Sequence, residues 1–341
     1  MNEKTDILSL SLQELEQEII ALGEAKFRAK QIFEWLHKKQ ATEFDKMTNL
    51  SAQLVKKLQE KFCIKSLNIK KRLVSNTDNT VKYLYGLPDG EKVECVLMEY
   101  KHGNSLCIST QVGCKMQCKF CASTKAGFVR NLEPSEMLLE IYETQRDSGR
   151  HIDSLVLMGI GEPLDNFDNV IKFLGLLSHP MGNELSLRHV SLSTCGLVDR
   201  IYDLAEMKLG LTLSISLHAS NDKTRSEIMP INNRYCISEI IKACQAYFVK
   251  TGRRISFEYA LIEGVNDDKQ TADELIRLLK PLACHVNLIP INEIKEGDYK
   301  KSTAVRQFQQ TLTENGINAT VRRTLGADIQ AACGQLRRDN I

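Results

Sequence analysis

The chain has 341 residues, 43% of them hydrophobic, with 45 Lys and Arg against 43 Asp and Glu for a formal net charge of +2. This composition excludes a disordered chain and leaves room for a large core. A balance so near neutral gives no global argument for nucleic acid, so any basic surface must be local. No apolar run is long enough to span a bilayer, and "MNEKTDILSLSLQELEQ" lacks the basic and apolar regions of a signal peptide. A cytoplasmic protein with no membrane association is expected. In that reducing setting the 11 cysteines do not read as a disulfide framework. Cys63, Cys236, Cys244 and Cys284 sit in apolar contexts and read as small buried hydrophobes.

In chain order, "SLQELEQEIIALG" opens a first helix with a capping box, Ser11 and Glu14. A second helix lies near 26–39, with Phe27, Ile32, Phe33 and Leu36 at helical spacing, and a third near 51–61. "NIKKRLV", "VKYLYGL" and "EKVECVLMEY" then read as strands separated by turns at "SNTDN" and "LPDGE". From about Leu106 the pattern alternates. The strands are "LCISTQ", "IDSLVLMG", "HVSLSTCG", "LTLSISLHA", "RISFEYALI", "HVNLIPIN" and "NATVRR". The helices between them include "SEMLLEIYETQRD", "FDNVIKFLGLL", "ISEIIKACQAYFVK" and "TADELIRLLKPL". Alternation of this kind implies an α/β fold with a parallel sheet; six or so units suit a partial or full barrel, which periodicity alone does not decide. Three regions follow: an α+β accessory domain over 1–98, the βα unit over 99–325, and a C-terminal segment over 326–341.

The polar motifs fall at strand ends. The cluster C-x3-C-x2-C (Cys114, Cys118, Cys121) follows the first strand of the alternating part, and "GIGEP", "STCG", "SLHA" and "IPIN" each end a later one. Sites in barrels and open α/β sheets gather at these ends. Three thiols in eight residues could serve zinc, with Cys107 or His102 as a fourth ligand. They could equally hold three irons of a [4Fe–4S] cube and leave the fourth iron open.

The full motif set narrows this choice. "CISTQVGCKMQCKFCAS", "GFVRNL", "MGIGEPLDN", "SLSTCG", "SLHA", "MPIN", "HVNLIPIN" and "AACGQL" together resemble the RlmN/Cfr family of radical S-adenosylmethionine (radical SAM) RNA methyltransferases, over nearly the whole chain. "QVGC" and "GEP" resemble the RlmN branch. Two positions depart from the usual pattern, Gln330 and Cys195; they remove no catalytic group and bear only on loop packing and the detail of the SAM pocket. The resemblance implies a radical SAM partial βα barrel with an N-terminal accessory domain. It also implies a [4Fe–4S] cluster on Cys114, Cys118 and Cys121, and two SAM molecules per turnover.

By the same resemblance, Cys333 accepts a methyl group and carries it to the RNA as a covalent adduct. Cys107 releases the product through a transient disulfide, and Glu94 takes the proton from the adduct. Read from the residues alone, Glu94 is a carboxylate in an apolar strand, most simply a solvent-facing one. SAM contacts carry over to Glu162, Pro163, Ser193, Thr194, Ser216, Leu217, His218 and Asn292. The implied substrates are an adenosine in the peptidyl-transferase centre of 23S rRNA and the adenosine 3′ of the anticodon in tRNA. The implied product is 2-methyladenosine, and the electron donor a flavodoxin or ferredoxin; a monomer is expected.

Lys56, Lys57, Lys61, Lys65, Lys70, Lys71 and Arg72, with Arg322, Arg323, Arg337 and Arg338 beside the C-terminal cysteine, would contact RNA phosphates if they share a face, although any single lysine reads most simply as part of a solvated charged surface. Two other readings stay open: a Cfr-like enzyme acting at adenine C8, and a metal-bearing RNA-binding protein without turnover.

Overall fold

The computed structural model describes residues 4–292, 294 and 297–337. Ten strands form one sheet: β1 Asn68–Val74, β2 Val81–Gly86, β3 Lys92–Tyr100, β4 Gly103–Cys107, β5 Ser154–Leu157, β6 Val190–Thr194, β7 Thr212–Ser216, β8 Ile255–Leu261, β9 Cys284–Pro290 and β10 Ala319–Val321. Their spatial order is their chain order. Strands β1 to β4 pair antiparallel, and every pair from β4 to β10 is parallel. A sequential parallel order with right-handed crossovers keeps the helices on one side. The uncovered side is then free to roll inward, giving a partial βα barrel.

Three helices precede the sheet: α1 Leu12–Ala21, α2 Phe27–His37 and α3 Ala52–Lys61. The crossovers are α4 Pro134–Ser148, α5 Phe167–Leu177, α6 Val198–Glu206, α7 Asp222–Ile228, α8 Ile237–Thr251, α9 Lys269–Leu279 and α10 Val305–Glu314. The capping box of α1 forms as read: Ser11 Oγ accepts from Glu14 N at 3.2 Å, and Glu14 Oε2 accepts from Ser11 N at 2.7 Å. This satisfies two end-of-helix donors that otherwise need water.

The expected boundary at 98/99 falls inside β3, which pairs with β4 from Val96↔Cys107 to Tyr100↔Gly103. The antiparallel strands therefore continue the barrel sheet without a break. The helical unit packs onto α4 and α5. His37 Nδ1 lies 3.2 Å from Tyr142 Oη, and Lys172 Nζ donates to Glu14 at 2.9 Å. Apolar residues of α1–α3 share one core with those of α4 and α5.

Candidate active site

"LCISTQ", read as one strand, is divided. β4 ends at Cys107, and Gln111–Gly113 pairs instead with Phe128–Asn131 in a small hairpin. The chain leaves the sheet because its donors are taken elsewhere: Ser109 N donates to Glu140 Oε2 at 3.1 Å and Thr110 N to Ile160 O at 2.8 Å. The three clustered cysteines lie in the loop of that hairpin. Gly113 has φ +75°, and a Cβ there would stand 1.7 Å from Gly127 O. Only glycine fits.

Cys114, Cys118 and Cys121 line one cavity that opens to solvent. Its walls include the ends of β5 to β9, as the topology implied. Burial pushes the Cys114 thiol up to about 12 and raises Cys118 and Cys121; Cys121 and Cys114 raise Cys118 further. Three desolvated soft donors on one wall cannot all ionise without a cationic partner. That donor set fits an iron–sulfur cluster bound through three thiolates.

The fourth ligands weighed for zinc lie elsewhere. His102 is exposed, stacked on Tyr100 at 5.2 Å, and Cys107 lines a neighbouring cavity. Of the cysteines read as buried hydrophobes, only Cys244 is fully buried; Cys63, Cys236 and Cys284 are partly exposed, near element ends.

The residues assigned to SAM divide into two groups. Glu162, Ser193, Thr194, Ser216, His218 and Asn292 line the cysteine cavity. Glu162 is 4% exposed. Its carboxylate accepts from Cys195 N at 2.7 Å and Leu164 N at 3.0 Å, so it braces two strand-end turns while facing the cavity. Ser193 and Ser216 hydroxyls lie 3.4 Å apart. His218 Nδ1 accepts from Ala260 N at 2.9 Å, and burial followed by Arg225 lowers the imidazole to about 3. The ring is therefore neutral, with its proton on Nε2. Pro163 and Leu217 do not reach the cavity wall. Pro163 opens a 3-10 turn, and Leu217 points into the main core.

Cys333 lines the cysteine cavity and also a smaller one, where Cys107 forms part of the wall. Burial, then Cys333, raises the Cys107 thiol well above the ordinary range. Arg322 lines both cavities, and the Cys333 sulfur is the largest cause of its tightened hold on its proton. Arg322 also pairs with Glu258 at 3.7 Å. The guanidinium thus lies on the cavity walls that Cys333 also lines, paired with Glu258, and not on an outer surface open to RNA phosphate. Glu258, 4% exposed, and the fully buried Arg225 escaped the sequence reading. Arg225 donates to the carbonyls of Cys195, Ser216 and Leu217, so it ties together the ends of β6 and β7. A polar residue inside a strand or short helix gives no sequence sign of which carbonyls it will meet.

Glu94 is 1% exposed, against the solvent-facing reading. It pairs with Lys82 at 3.1 Å and accepts from Arg337 N at 2.7 Å. Strand alternation puts Glu94 on the same face of β3 as Val96 and Met98, which line the Cys107 cavity.

Among the basic residues assigned to RNA, Lys57, Lys61, Lys65 and Arg72 pair with Glu24, Glu18, Glu133 and Asp147. Lys56, Lys70, Lys71 and Arg323 are exposed. Arg337 lies in the C-terminal segment, and Arg338 is outside the described residues.

Residues 108–277 match the radical SAM superfamily, and residues 5–64 match the family described as the ribosomal RNA large subunit methyltransferase N-terminal domain. A probable dual-specificity RNA methyltransferase RlmN of Lachnoclostridium phytofermentans is 52% identical over 99% of this chain and 96% of its own. The chain belongs to the RlmN family of radical SAM RNA methyltransferases. A second family member, from Clostridium perfringens, is 53% identical over 98% of this chain and 97% of its own. A radical SAM methyltransferase from Sphaerobacter thermophilus superposes with a TM-score of 0.93 at 40% identity, covering 98% of this chain and 100% of that one. The family places this chain among SAM-dependent RNA methyltransferases. No described helix is long and apolar enough to cross a membrane.

Proposed function

We propose that the protein methylates C2 of adenosine in 23S rRNA and in tRNA, passing the methyl group through Cys333. The observation that carries this reading is the position of Cys333 on the walls of two adjoining cavities, with Cys114, Cys118 and Cys121 on one and Cys107 on the other.

Cys114, Cys118 and Cys121 would hold a [4Fe–4S] cluster, and Glu162, Ser193, Thr194, Ser216, His218 and Asn292 would surround SAM, two molecules being consumed per turnover. When bound, the cluster and SAM supply an electrophilic methyl group and a carbon-centred radical, which an electron-poor aromatic carbon requires. Cys333 Sγ accepts the methyl as a nucleophile, and Arg322 stabilises negative charge on that sulfur. The methyl on Cys333 would lose one hydrogen atom to the carbon-centred radical, and its carbon then bonds to C2 of the base. Glu94 takes the C2 proton as the adduct gives up one electron, which the cluster would accept. Cys107 Sγ attacks Cys333 Sγ, the sulfur–carbon bond breaks with its electron pair going to carbon, that carbon takes a proton to become the methyl group, and the methylated base leaves as a disulfide forms. A cellular dithiol returns both cysteines to the reduced state. Asn292 Nδ2 donates to Cys333 O at 3.1 Å and holds the carrier loop over the cavity.

The target base must leave its stack to enter such a cavity, which favours loop adenosines. Exposed Lys56, Lys70, Lys71 and Arg323 supply phosphate contacts without reading sequence. The protein acts as a monomer in the cytoplasm with a flavodoxin or ferredoxin as reductant. The test is an anaerobic incubation of the iron- and sulfide-reconstituted protein with SAM, dithionite and a 23S rRNA fragment or tRNA. 2-Methyladenosine in the nucleoside digest, together with 5′-deoxyadenosine, supports the reading. 8-Methyladenosine moves the protein to the Cfr type of reaction.

A further inference from the structure

We infer that Lys82 is a positioning residue that locks the Glu94 carboxylate to both feet of the Cys333 loop, so that proton acceptor and methyl-bearing sulfur keep a fixed spacing. The inference rests on the reading of Glu94 as proton acceptor given above.

Lys82 lies in β2 and is 4% exposed; Glu94 lies in β3 and is 1% exposed. In the antiparallel register Lys82 stands opposite Val96, and Glu94 opposite Leu84. The two charges are thus diagonal neighbours on one face. Lys82 Nζ is 3.1 Å from Glu94 Oε1, and the same ammonium donates to Gln330 O at 3.1 Å. The other carboxylate oxygen, Glu94 Oε2, accepts from Arg337 N at 2.7 Å. Gln330 precedes Cys333 by three residues and Arg337 follows it by four. One buried ion pair therefore grips the carrier loop on both sides.

Two physical points argue that this pair serves geometry and not stability. First, a buried ion pair contributes little net stability compared with an apolar pair of similar size, because both charges are desolvated. On their own face of β2 and β3 the neighbours are apolar: Leu84, Val96 and Met98 are all buried. Second, Gln330 has φ +52°, a left-handed conformation unfavourable for a residue with a side chain. The Lys82 bond to its carbonyl holds that turn. Thus the chain places strained backbone and a costly ion pair where the proton acceptor meets the carrier loop.

The experiment follows separate steps in reconstituted full-length protein: Cys333 methylation by peptide mass, RNA adduct formed, and adduct released. RNA carrying protium or deuterium at C2 reports whether proton removal limits release. Lys82→Met, Lys82→Arg, Glu94→Gln and the double variant Lys82→Met/Glu94→Gln are compared. The double variant removes both charges, so it stays folded if Lys82→Met alone is lost to an unpaired buried carboxylate.

The inference predicts that Lys82→Met methylates Cys333 to the wild-type extent but releases the adduct at least tenfold more slowly. Its C2 deuterium effect should be larger than that of the wild type. Lys82→Arg, which keeps the cation, should restore release to within about threefold, and the double variant should release no faster than Glu94→Gln. Wild-type release and isotope effect in Lys82→Met, with slow release in Glu94→Gln, overturns the inference and leaves the Glu94 reading standing. Wild-type release in Glu94→Gln overturns the Glu94 reading and the inference with it.

Discussion

His37 and His218 are both buried and both held down to about 3, in each case first by burial. The second cause differs: His179 for His37, and Arg225 for His218. Each stays neutral in the fold at a pH where the unfolded chain, with an ordinary histidine near 6.5, takes up a proton. The unfolded state then binds more protons, so stability is lost as pH falls below about 6.5. Buried carboxyls such as Glu140 are raised and act in the opposite sense, so the comparison must isolate one group. Between pH 7 and pH 5, the wild type should lose on the order of 1–2 kcal/mol of unfolding free energy relative to His37→Phe. Urea titrations at the two pH values measure this; an unchanged difference would mean that His37 takes its proton in the folded state. At this scale the sequence was readable where spacing is local, as for Cys114, Cys118 and Cys121. It misled where the partner is distant: a lone Glu94 looks like a surface residue until β-sheet register brings Lys82 to it.

At the scale of the element, the hairpin bearing the cysteines depends on backbone that side chains cannot replace. Gly113→Ala would drive a methyl group against Gly127 O in an already left-handed turn. The expected result is protein with the far-ultraviolet dichroism of the wild type and little cluster absorbance near 400 nm (roughly the thiolate-to-iron region) after reconstitution. Full cluster content in that variant would show that the loop tolerates another path. Most elements were legible, because α4, α5, α8 and α9 carry long apolar repeats and the parallel strands are apolar runs. The division of "LCISTQ" was not legible. It is set by Glu140 and Ile160 O claiming the amides of Ser109 and Thr110. Those partners lie tens of residues away.

Over the whole molecule, the antiparallel strands, the barrel and the C-terminal segment meet at the Cys333 loop. Asp78 accepts from Gly326 N at 2.8 Å, Asp328 from Asn76 N at 2.9 Å, and Gly334 O from Ala122 N at 2.8 Å beside the cluster cysteines. Asn292 and the Lys82–Glu94 pair complete the attachment. This convergence explains why a boundary at 98/99 reads well from composition yet crosses a paired strand. A change of rhythm in sequence marks a change of strand direction, and the sheet itself runs on. It also brings β2 and β3 against the Cys333 loop, although they precede every motif that signalled chemistry.

Passage of the methyl group to RNA through Cys333, with release by Cys107, is decided by the mass of protein and RNA after anaerobic incubation of Cys107→Ala with SAM, reductant and substrate RNA. A covalent complex attached through Cys333, absent from the Cys333→Ala variant, is expected, with no free methylated adenosine. Normal turnover of Cys107→Ala to free product, with no complex detected, would exclude both roles.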